Sequence, residues 1–356
     1  MSKTVALYFV ASPLQYLAAR QIARHHEAGA KQVLVWYQPG ITSLVQSAEW
    51  DASAYMPWPR WNPLPGWFGR HRRLRANIRM VADLVGPCDE VHIHSAVFDT
   101  EAINYFLRAL PRAIGARTMK AHILPDGLIS IRRYPLGPAK RLIQWIRKLR
   151  RLAAPELDYW CFAGDRIGSD APFCDRIYVL PGLPHVYPAN KVVMLPSLVD
   201  ATASNGSIDV GGRRALVIGQ PMVGAGLMTP QDRDQVTQEM EAWLRSHDFQ
   251  NVDYKGHPKD PHNELCTPRY DVLTLTEPIE IWMSRHHYAA VIGTRSTALL
   301  FASQLYGPQT PVMAFGWDRT RFKSDTEKRD MVRAFEQSGV TLVGLTAPDP
   351  RNRPNL

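Results

Sequence analysis

Two short motifs, far apart in the chain, carry side chains that can move protons. Asp126-Gly127 follows an apolar run typical of a strand, and His257-Pro258 lies in residues 254–259. A carboxylate can take the proton of an attacking hydroxyl group, and an imidazole can assist a departing phosphate. Each dipeptide alone is also typical of an ordinary turn or a solvated loop. Their positions after two strands, in separate halves of the chain, indicate a group-transfer site.

The residues beside the two groups fit this interpretation. Gly127 lets the backbone turn sharply and leaves room for a substrate, and Gly256 allows close approach next to the imidazole. Pro258 fixes the chain directly after His257. We therefore expect all three to shape the binding surface around Asp126 and His257.

A third motif, residues 293–297, lies between a predicted strand and a predicted helix. Ser296 is placed as an N-cap, and the hydroxyls of Ser296 and Thr297, the free amides and the positive helix end make a phosphate site. Arg295 could add a charge-assisted bond. Plain N-capping without a ligand explains the same residues, and the two interpretations are compatible.

Four other residues are weaker candidates. Gln220 opens a glycine-containing turn that only loosely resembles a dinucleotide fingerprint. Ser12 and Gln15 follow the first strand, and Gln15 could reach into a cleft. Glu277 opens a predicted helix, where capping is the favoured role and a base or ribose contact is the alternative.

Both halves of the chain alternate strands with helix-length segments, which predicts βαβ units and parallel sheets. Strands are predicted at residues 4–10, 32–37, 90–94, 121–124, 214–219, 251–255, 288–292, 311–315 and 341–345. Helices are predicted at residues 14–26, 75–85, 99–110, 140–152, 231–247, 277–287, 296–305 and 328–338. The fold class is therefore α/β, and two Rossmann-like domains facing across a cleft give the GT-B architecture, with ligands at the carboxyl ends of the strands.

The predicted domain boundary is a joint rich in proline and glycine, residues 183–213. We expect an acceptor-side domain at residues 1–200, a donor-binding domain at residues 211–345, and a loose tail at residues 346–356. The length of 356 residues suffices for two cores, and 45% hydrophobic residues are typical of a globular protein.

Composition also limits the partners and the compartment. The four cysteines are dispersed, which favours a reduced compartment. The apolar run at residues 4–10 is followed at once by polar residues and proline, so a buried strand is favoured over a signal peptide, and a cytoplasmic location is expected. The formal charge of +9 favours an anionic partner. No recognised motif for nucleic-acid binding accompanies this charge, so no nucleic acid is expected.

Much of the positive charge lies in two segments, residues 140–152 and the tryptophan- and arginine-rich residues 58–75. The first is an amphipathic helix with an apolar stripe and a basic face, a pattern that suits an anionic membrane surface. Packing of the stripe on the domain, with the basic face in solvent, is the slightly favoured interpretation of this pattern. Elsewhere, His92 and His94 point the same way on a strand. A metal site there would need a further ligand, which the sequence does not identify, so no metal is predicted.

The three motifs in order, supported by Ser12 and Gln15, make the chain similar to bacterial sialyltransferases of glycosyltransferase family 52 and to the related polysialyltransferases. These families share an acidic-Asp-Gly motif, a His-Pro motif and a later Ser/Thr-rich motif. The resemblance implies a GT-B fold and an inverting, metal-independent transfer from a CMP-activated nonulosonic acid of the sialic, pseudaminic or legionaminic type. In this chain Pro125 stands where the family usually has a second acidic residue, so we assign the base to Asp126.

The resulting prediction is a glycosyltransferase with Asp126 as base and His257 assisting the departing phosphate. The CMP-sugar is a substrate, and no cofactor is expected. The acceptor is predicted to be a cell-surface glycan of lipopolysaccharide or capsule, lipid-linked at the inner face of the membrane, where the enzyme could bind peripherally. The alternatives are a CMP-Kdo-dependent Kdo transferase, a transferase using nucleoside-diphosphate sugars, and a non-catalytic module that binds anionic glycan or membrane.

Overall fold

The computed structural model describes residues 3–127, 133–181, 185–196, 198, 213–257, 259–275, 277 and 279–345. The chain divides into two compact units, the first formed by Met1–Pro181 and His185–Leu198 and the second by Gly182–Pro184 and Val199–Leu356. Most of the predicted joint and the predicted tail lie outside the described residues. Within the described part of the chain, every helix is too short or too polar to cross a membrane.

The first unit contains a parallel sheet with the strand order β3-β2-β1-β4-β5-β6-β7. Its strands are β1 Thr4–Val10, β2 Lys31–Trp36, β3 Ala52–Tyr55, β4 Glu90–Ser95, β5 Thr118–Ile123, β6 Cys174–Val179 and β7 Val192–Met194. Its helices are α1 Pro13–His25, α2 Gly69–Val85, α3 Glu101–Asn104, α4 Phe106–Ile114 and α5 Pro138–Leu149. The central strand β1 is apolar and buried on both faces, as expected of a strand covered by helices on each side.

The second unit repeats the plan with the parallel order β10-β9-β8-β11-β12-β13. Its strands are β8 Arg214–Ile218, β9 Asn251–Lys255, β10 Asp271–Val272, β11 Ala290–Gly293, β12 Val312–Ala314 and β13 Thr341–Leu342. Its helices are α6 Pro230–Ser246, α7 Ile279–Arg285, α8 Thr297–Tyr306 and α9 Asp325–Gln337. Strands β9, β8 and β11 are neighbours, so the segments that follow them leave the sheet at one edge.

Two predicted helices differ from the observed ones. Residues 99–110 form two short helices, α3 and α4, which meet at Tyr105, and the predicted helix at residues 277–287 is confined to α7. The strands β3, β6, β7 and β10 were not predicted. They are short or lie in segments without a clear alternation of apolar and polar residues, so periodicity gives no signal there.

The helix α5 packs with its polar side inward, which corrects the favoured interpretation of its apolar stripe. Gln144 is its only buried residue; its amide nitrogen donates to Asp99 Oδ1 at 3.0 Å, and its oxygen accepts the Phe162 N–H at 3.0 Å. The stripe that was expected to pack on the domain is between 53% and 81% exposed at Leu142, Trp145, Ile146, Leu149 and Leu152. Hydrogen bonds to distant residues, rather than apolar contact, decide which face of α5 is inside.

Candidate active site

In the first unit, the predicted base Asp126 lies three residues beyond the end of β5, at the carboxyl edge of the sheet. Asp126 is half-buried, and Pro125 before it is buried. Burial raises the pKa of Asp126 above its ordinary value, and a hydrogen bond from Gln15 partly offsets this effect. Gly127 has a φ of +42°, a conformation that favours glycine. The turn therefore holds a carboxyl group that is more basic than an exposed one.

The helix α1 orients the amide that contacts this carboxyl group. Ser12 caps α1, with its Oγ accepting the Gln15 N–H at 3.2 Å. The side-chain oxygen of Gln15 accepts the Ala11 N–H at 2.7 Å, which turns its amide nitrogen toward Asp126. Gln15 is 3% exposed, so packing restricts its rotation. Gln15 thus acts on Asp126 directly, through a hydrogen bond. Ser12 acts indirectly, by holding Gln15 in place.

Two further residues at this edge were not predicted from the sequence. The hydroxyl of Tyr37, just after β2, has a pKa raised by burial and, to a smaller degree, by the charge of Asp126. Ser95 ends β4, between β1 and β5 in the sheet, and its Oγ is buried without a hydrogen-bond partner among the described residues. The strand-end rule that located Asp126 could have pointed to both. We call Gln15, Tyr37, Ser95 and Asp126 the Asp126 edge.

In the second unit, His257 follows β9 by two residues and is half-buried. Its Nδ1 accepts the backbone N–H of Lys259 at 3.0 Å, so a neutral ring carries its proton on Nε2. Burial, followed by the charge of Lys259, lowers the pKa of His257 below its ordinary value. A side chain at Gly256 would overlap the Asn263 Oδ1 and would have to displace that side chain. The imidazole is therefore a neutral hydrogen-bond donor near pH 7.

The third motif opens α8 as predicted. The Ser296 Oγ accepts the Ala298 N–H at 3.3 Å, which is an N-cap, and Thr297 is the first residue of α8. The backbone N–H groups of this turn and the positive end of the helix dipole face the carboxyl edge of the second sheet. Because β9, β8 and β11 are adjacent, the structure brings this turn to the same sheet edge as His257. We call Gln220, His257, Thr294 and Ser296 the His257 edge.

Gln220 and Arg295 have partners that favour a structural contribution to this edge. The Gln220 oxygen accepts the Thr294 hydroxyl at 2.6 Å and the Arg295 N–H at 3.0 Å, which ties the segment after β8 to the turn after β11. The guanidinium group of Arg295 lies over the ring of Phe322 and 4.0 Å from the Glu327 carboxylate. These contacts orient its side chain toward α9.

Glu277 pairs with an arginine close to it in the sequence, and a second glutamate was not predicted. The Glu277 carboxylate forms an ion pair with Arg285 at the end of α7. Glu280, by contrast, interacts with Lys255 at the end of β9: burial raises the pKa of Glu280, and Lys255 partly offsets this. Burial also favours the neutral form of Lys255, so it lowers the pKa of this residue. Pro258 lies outside the described residues, so its predicted role beside His257 stays a prediction.

Residues 185–314 match the model of the alpha-2,8-polysialyltransferase family (POLYST). The matched segment contains His257, Arg295, Ser296 and Thr297 but not Asp126. The predicted resemblance to polysialyltransferases is confirmed over this segment. The chain is a glycosyltransferase. The curated proteins include no match to this glycosyltransferase.

Solved structures confirm the predicted GT-B fold class. UDP-GlcNAc 2-epimerase from Methanocaldococcus jannaschii is 9% identical, with a TM-score of 0.51 over 94% of this chain and 92% of that chain. The glycotransferase of kitacinnamycin is 10% identical, with a TM-score of 0.50 over 96% and 86% of the respective chains. At such low identity these similarities establish the fold of the glycosyltransferase alone.

Proposed function

We propose that this glycosyltransferase transfers a nonulosonic acid from a CMP-activated donor to a hydroxyl group of a cell-surface glycan, with inversion at the anomeric carbon. The observation that carries the proposal is the family match over residues 185–314, because that segment contains His257 and the Ser296-Thr297 turn. Sialic acid is a nonulosonic acid, and the matched family is named for its transfer. Pseudaminic and legionaminic acids are the related donors that we include.

The His257 edge is proposed to bind the phosphate of CMP. The capped turn of α8 offers backbone N–H groups and the positive end of the helix dipole. The Nε2–H of the neutral His257 ring donates a hydrogen bond to a phosphate oxygen, and this bond strengthens as negative charge develops. Both contributions stabilise the leaving phosphate, so the proposed reaction requires no metal ion.

Asp126 is proposed to act as the general base. As the acceptor oxygen forms its bond to the anomeric carbon, its O–H bond breaks and the proton goes to the Asp126 carboxylate. The bond between the anomeric carbon and the phosphate oxygen breaks on the opposite face, and its electron pair leaves with CMP. The raised pKa of Asp126 supports this role, because a more basic carboxylate accepts a proton more readily.

The exposed face of α5 supports a location at a membrane surface. In addition to the apolar stripe on α5, Trp67 and Phe68 are exposed, by 89% and 72%. The Glu101 carboxylate pairs with Arg70 near the start of α2 and with Arg150 directly after α5, so these segments approach one another. Exposed basic residues of α5 include Lys140 and Arg141. Apolar and basic side chains in such proximity suit a bilayer with anionic lipids.

We propose that this surface brings the enzyme to a lipid-linked glycan of lipopolysaccharide or capsule at the inner face of the cytoplasmic membrane. The test is flotation with vesicles of phosphatidylcholine, with and without phosphatidylglycerol. The double variant Leu142→Glu/Leu149→Glu is expected to lose at least about tenfold in binding to the anionic vesicles. The matched control, Val186→Glu/Val272→Glu, changes two apolar residues of similar exposure elsewhere and should bind as the unmodified chain does. Equal losses in both variants would exclude α5 as the membrane surface.

The donor assignment is tested by thermal unfolding with CMP, UDP and GDP, followed by a donor screen read by CMP release. Of the three nucleotides, we expect only CMP to raise the unfolding temperature appreciably. Release of CMP from CMP-sialic, CMP-pseudaminic or CMP-legionaminic acid, but not from CMP-Kdo, supports the proposal. Release from CMP-Kdo only would identify a Kdo transferase, and stabilisation by UDP or GDP would indicate a nucleoside-diphosphate donor. Salt-sensitive vesicle or glycan binding with no response to any nucleotide would indicate a non-catalytic module.

A further inference from the structure

Three histidines and one glutamate that the proposed transfer does not use lie together in the first unit. His94 on β4 is paired in register with His122 on β5, His92 precedes His94 by two residues, and Glu27 follows the end of α1. The four side chains are between 0% and 13% exposed. So many titratable groups are rarely buried together without a compensating interaction.

One nitrogen of each histidine lies close to the Glu27 carboxylate. The His122 Nδ1 is 3.0 Å from the His94 Nε2 and 3.4 Å from the Glu27 Oε1, and the His94 Nε2 is 3.6 Å from the same oxygen. The His92 Nδ1 is 2.9 Å from the Glu27 Oε2. A tetrahedral zinc site with bonds of about 2.0–2.1 Å has ligand atoms about 3.3 Å apart. The separations among His94, His122 and Glu27, from 3.0 to 3.6 Å, are close to this spacing, and ligand atoms of Glu27, His92 and His122 all lie within 4.8 Å of one another.

The outer nitrogen of each ring faces an acceptor. The His94 Nδ1 is 3.3 Å from the Leu7 carbonyl oxygen, and the His122 Nε2 is 3.3 Å from the Asp175 Oδ2. The His92 Nε2 is 3.2 Å from a carboxylate oxygen of Glu90, although this contact lacks the geometry of a hydrogen bond. If each ring carries its proton on the outer nitrogen, the inner nitrogen of each ring has a lone pair. These three lone pairs are then close to one another and to the Glu27 carboxylate. A bound cation resolves this arrangement, and such outer acceptors are usual around histidines that bind metals.

We propose that Glu27, His92, His94 and His122 bind one divalent transition-metal ion, with zinc as the favoured ion. Imidazole nitrogens with one carboxylate oxygen are a ligand set that suits zinc. Because the ligands are nearly or fully buried and come from three separate elements, the proposed site is structural. It connects the end of α1 to β4 and β5. The same α1 carries Gln15, and β5 leads to Asp126, so the ion stabilises the elements that form the Asp126 edge.

The arrangement that competes with a metal ion is a hydrogen-bonded network. In that network Glu27 pairs with a protonated His92, and a proton lies between His94 and His122. Both arrangements bury the same residues, but only the metal site would retain a metal ion through desalting. Metal content therefore separates them without reference to transferase activity.

The experiment uses the full chain without a histidine tag. After incubation with zinc and desalting, elemental analysis is expected to find about one zinc per chain, and a chelator should lower the unfolding temperature. Cobalt(II) added to the chelated protein should give the visible absorption bands of a tetrahedral site. These measurements need no substitution, so a variant that fails to fold cannot obscure them.

Variants then locate the ion. His92→Gln should retain less than about a tenth of the zinc. Asp175→Asn, at a half-exposed position, should weaken zinc binding by roughly 10- to 100-fold while leaving the fold intact. The control His262→Gln, an exposed histidine elsewhere, should keep full occupancy. Absence of retained zinc and of cobalt bands in the unmodified chain overturns the proposal, as does equal zinc content in His92→Gln and His262→Gln.

Discussion

The Asp126 edge and the His257 edge each present one half-buried titratable group beyond a strand end, and they hold it in different ways. Asp126 accepts a hydrogen bond from the neutral side-chain amide of Gln15. His257 receives a backbone N–H and is close to two lysines. Burial favours the neutral form of both groups, which raises the pKa of the carboxyl and lowers that of the imidazole. The first group thereby becomes a better proton acceptor and the second a neutral donor.

The largest expected effect is at the Asp126 edge. Asp126→Asn keeps the shape and the contact with Gln15 but removes the base, so kcat should fall by about 10³-fold with the selected CMP-sugar. The measurement is CMP release under saturating donor and acceptor. Asp83→Asn, at an exposed aspartate of α2, is the matched control. A rate for the folded Asp126→Asn protein within about threefold of the control would remove Asp126 as the base.

The next effect concerns how His257 acts. His257→Ala should lose about 10²-fold in kcat, the usual cost of removing one donor to a developing charge. His257→Gln places an amide N–H near the position of Nε2 and should recover about tenfold of that loss. If a protonated imidazole is needed instead, Gln and Ala will be equally impaired. His262→Gln, in the same segment of chain, serves as the control for both variants.

The third effect is a change in pH dependence at the Asp126 edge. The Gln15 hydrogen bond lowers the pKa of Asp126, so Gln15→Met should raise that pKa further. The base works only when it is deprotonated, so activity is lost as the pH falls through its pKa. The acid limb of kcat/KM should therefore move to higher pH in Gln15→Met, while the rate at alkaline pH falls by less than about tenfold. An unchanged acid limb would show that another group controls it.

The strand-end positions of both edges could be predicted from the sequence. Apolar runs followed by Asp126, His257 and the turn at Ser296 are local features, and parallel sheets place such residues at one edge. The hydrogen bond of Gln15 and the charge interaction of Tyr37 with Asp126 were not predictable in detail. They join residues about 90 to 110 positions apart, whose proximity depends on the complete sheet.

Some predictions differed from the structure for a common physical reason. The pattern of α5 establishes that the helix is amphipathic, but not which face is covered. That choice depends on Asp99 and Phe162, which bond to Gln144 from other segments. Similarly, the sequence could not show that Glu27 and His122 lie beside His92 and His94, because only the packing of α1 and the pairing of β4 with β5 bring them together.

The smallest expected effect is at Glu277, and it tests whether the donor site extends beyond the His257 edge. Glu277 was a candidate for a base or ribose contact, yet its carboxylate pairs with the exposed Arg285. Ion pairs at such exposed positions contribute little, about 0–1 kcal/mol. Glu277→Gln should therefore change KM for the CMP-sugar by less than about threefold. Glu280→Gln is the informative comparison, since Glu280 interacts with Lys255 at the end of β9. A larger increase in KM for Glu277→Gln than for Glu280→Gln would extend the donor site beyond the strand ends to the start of α7.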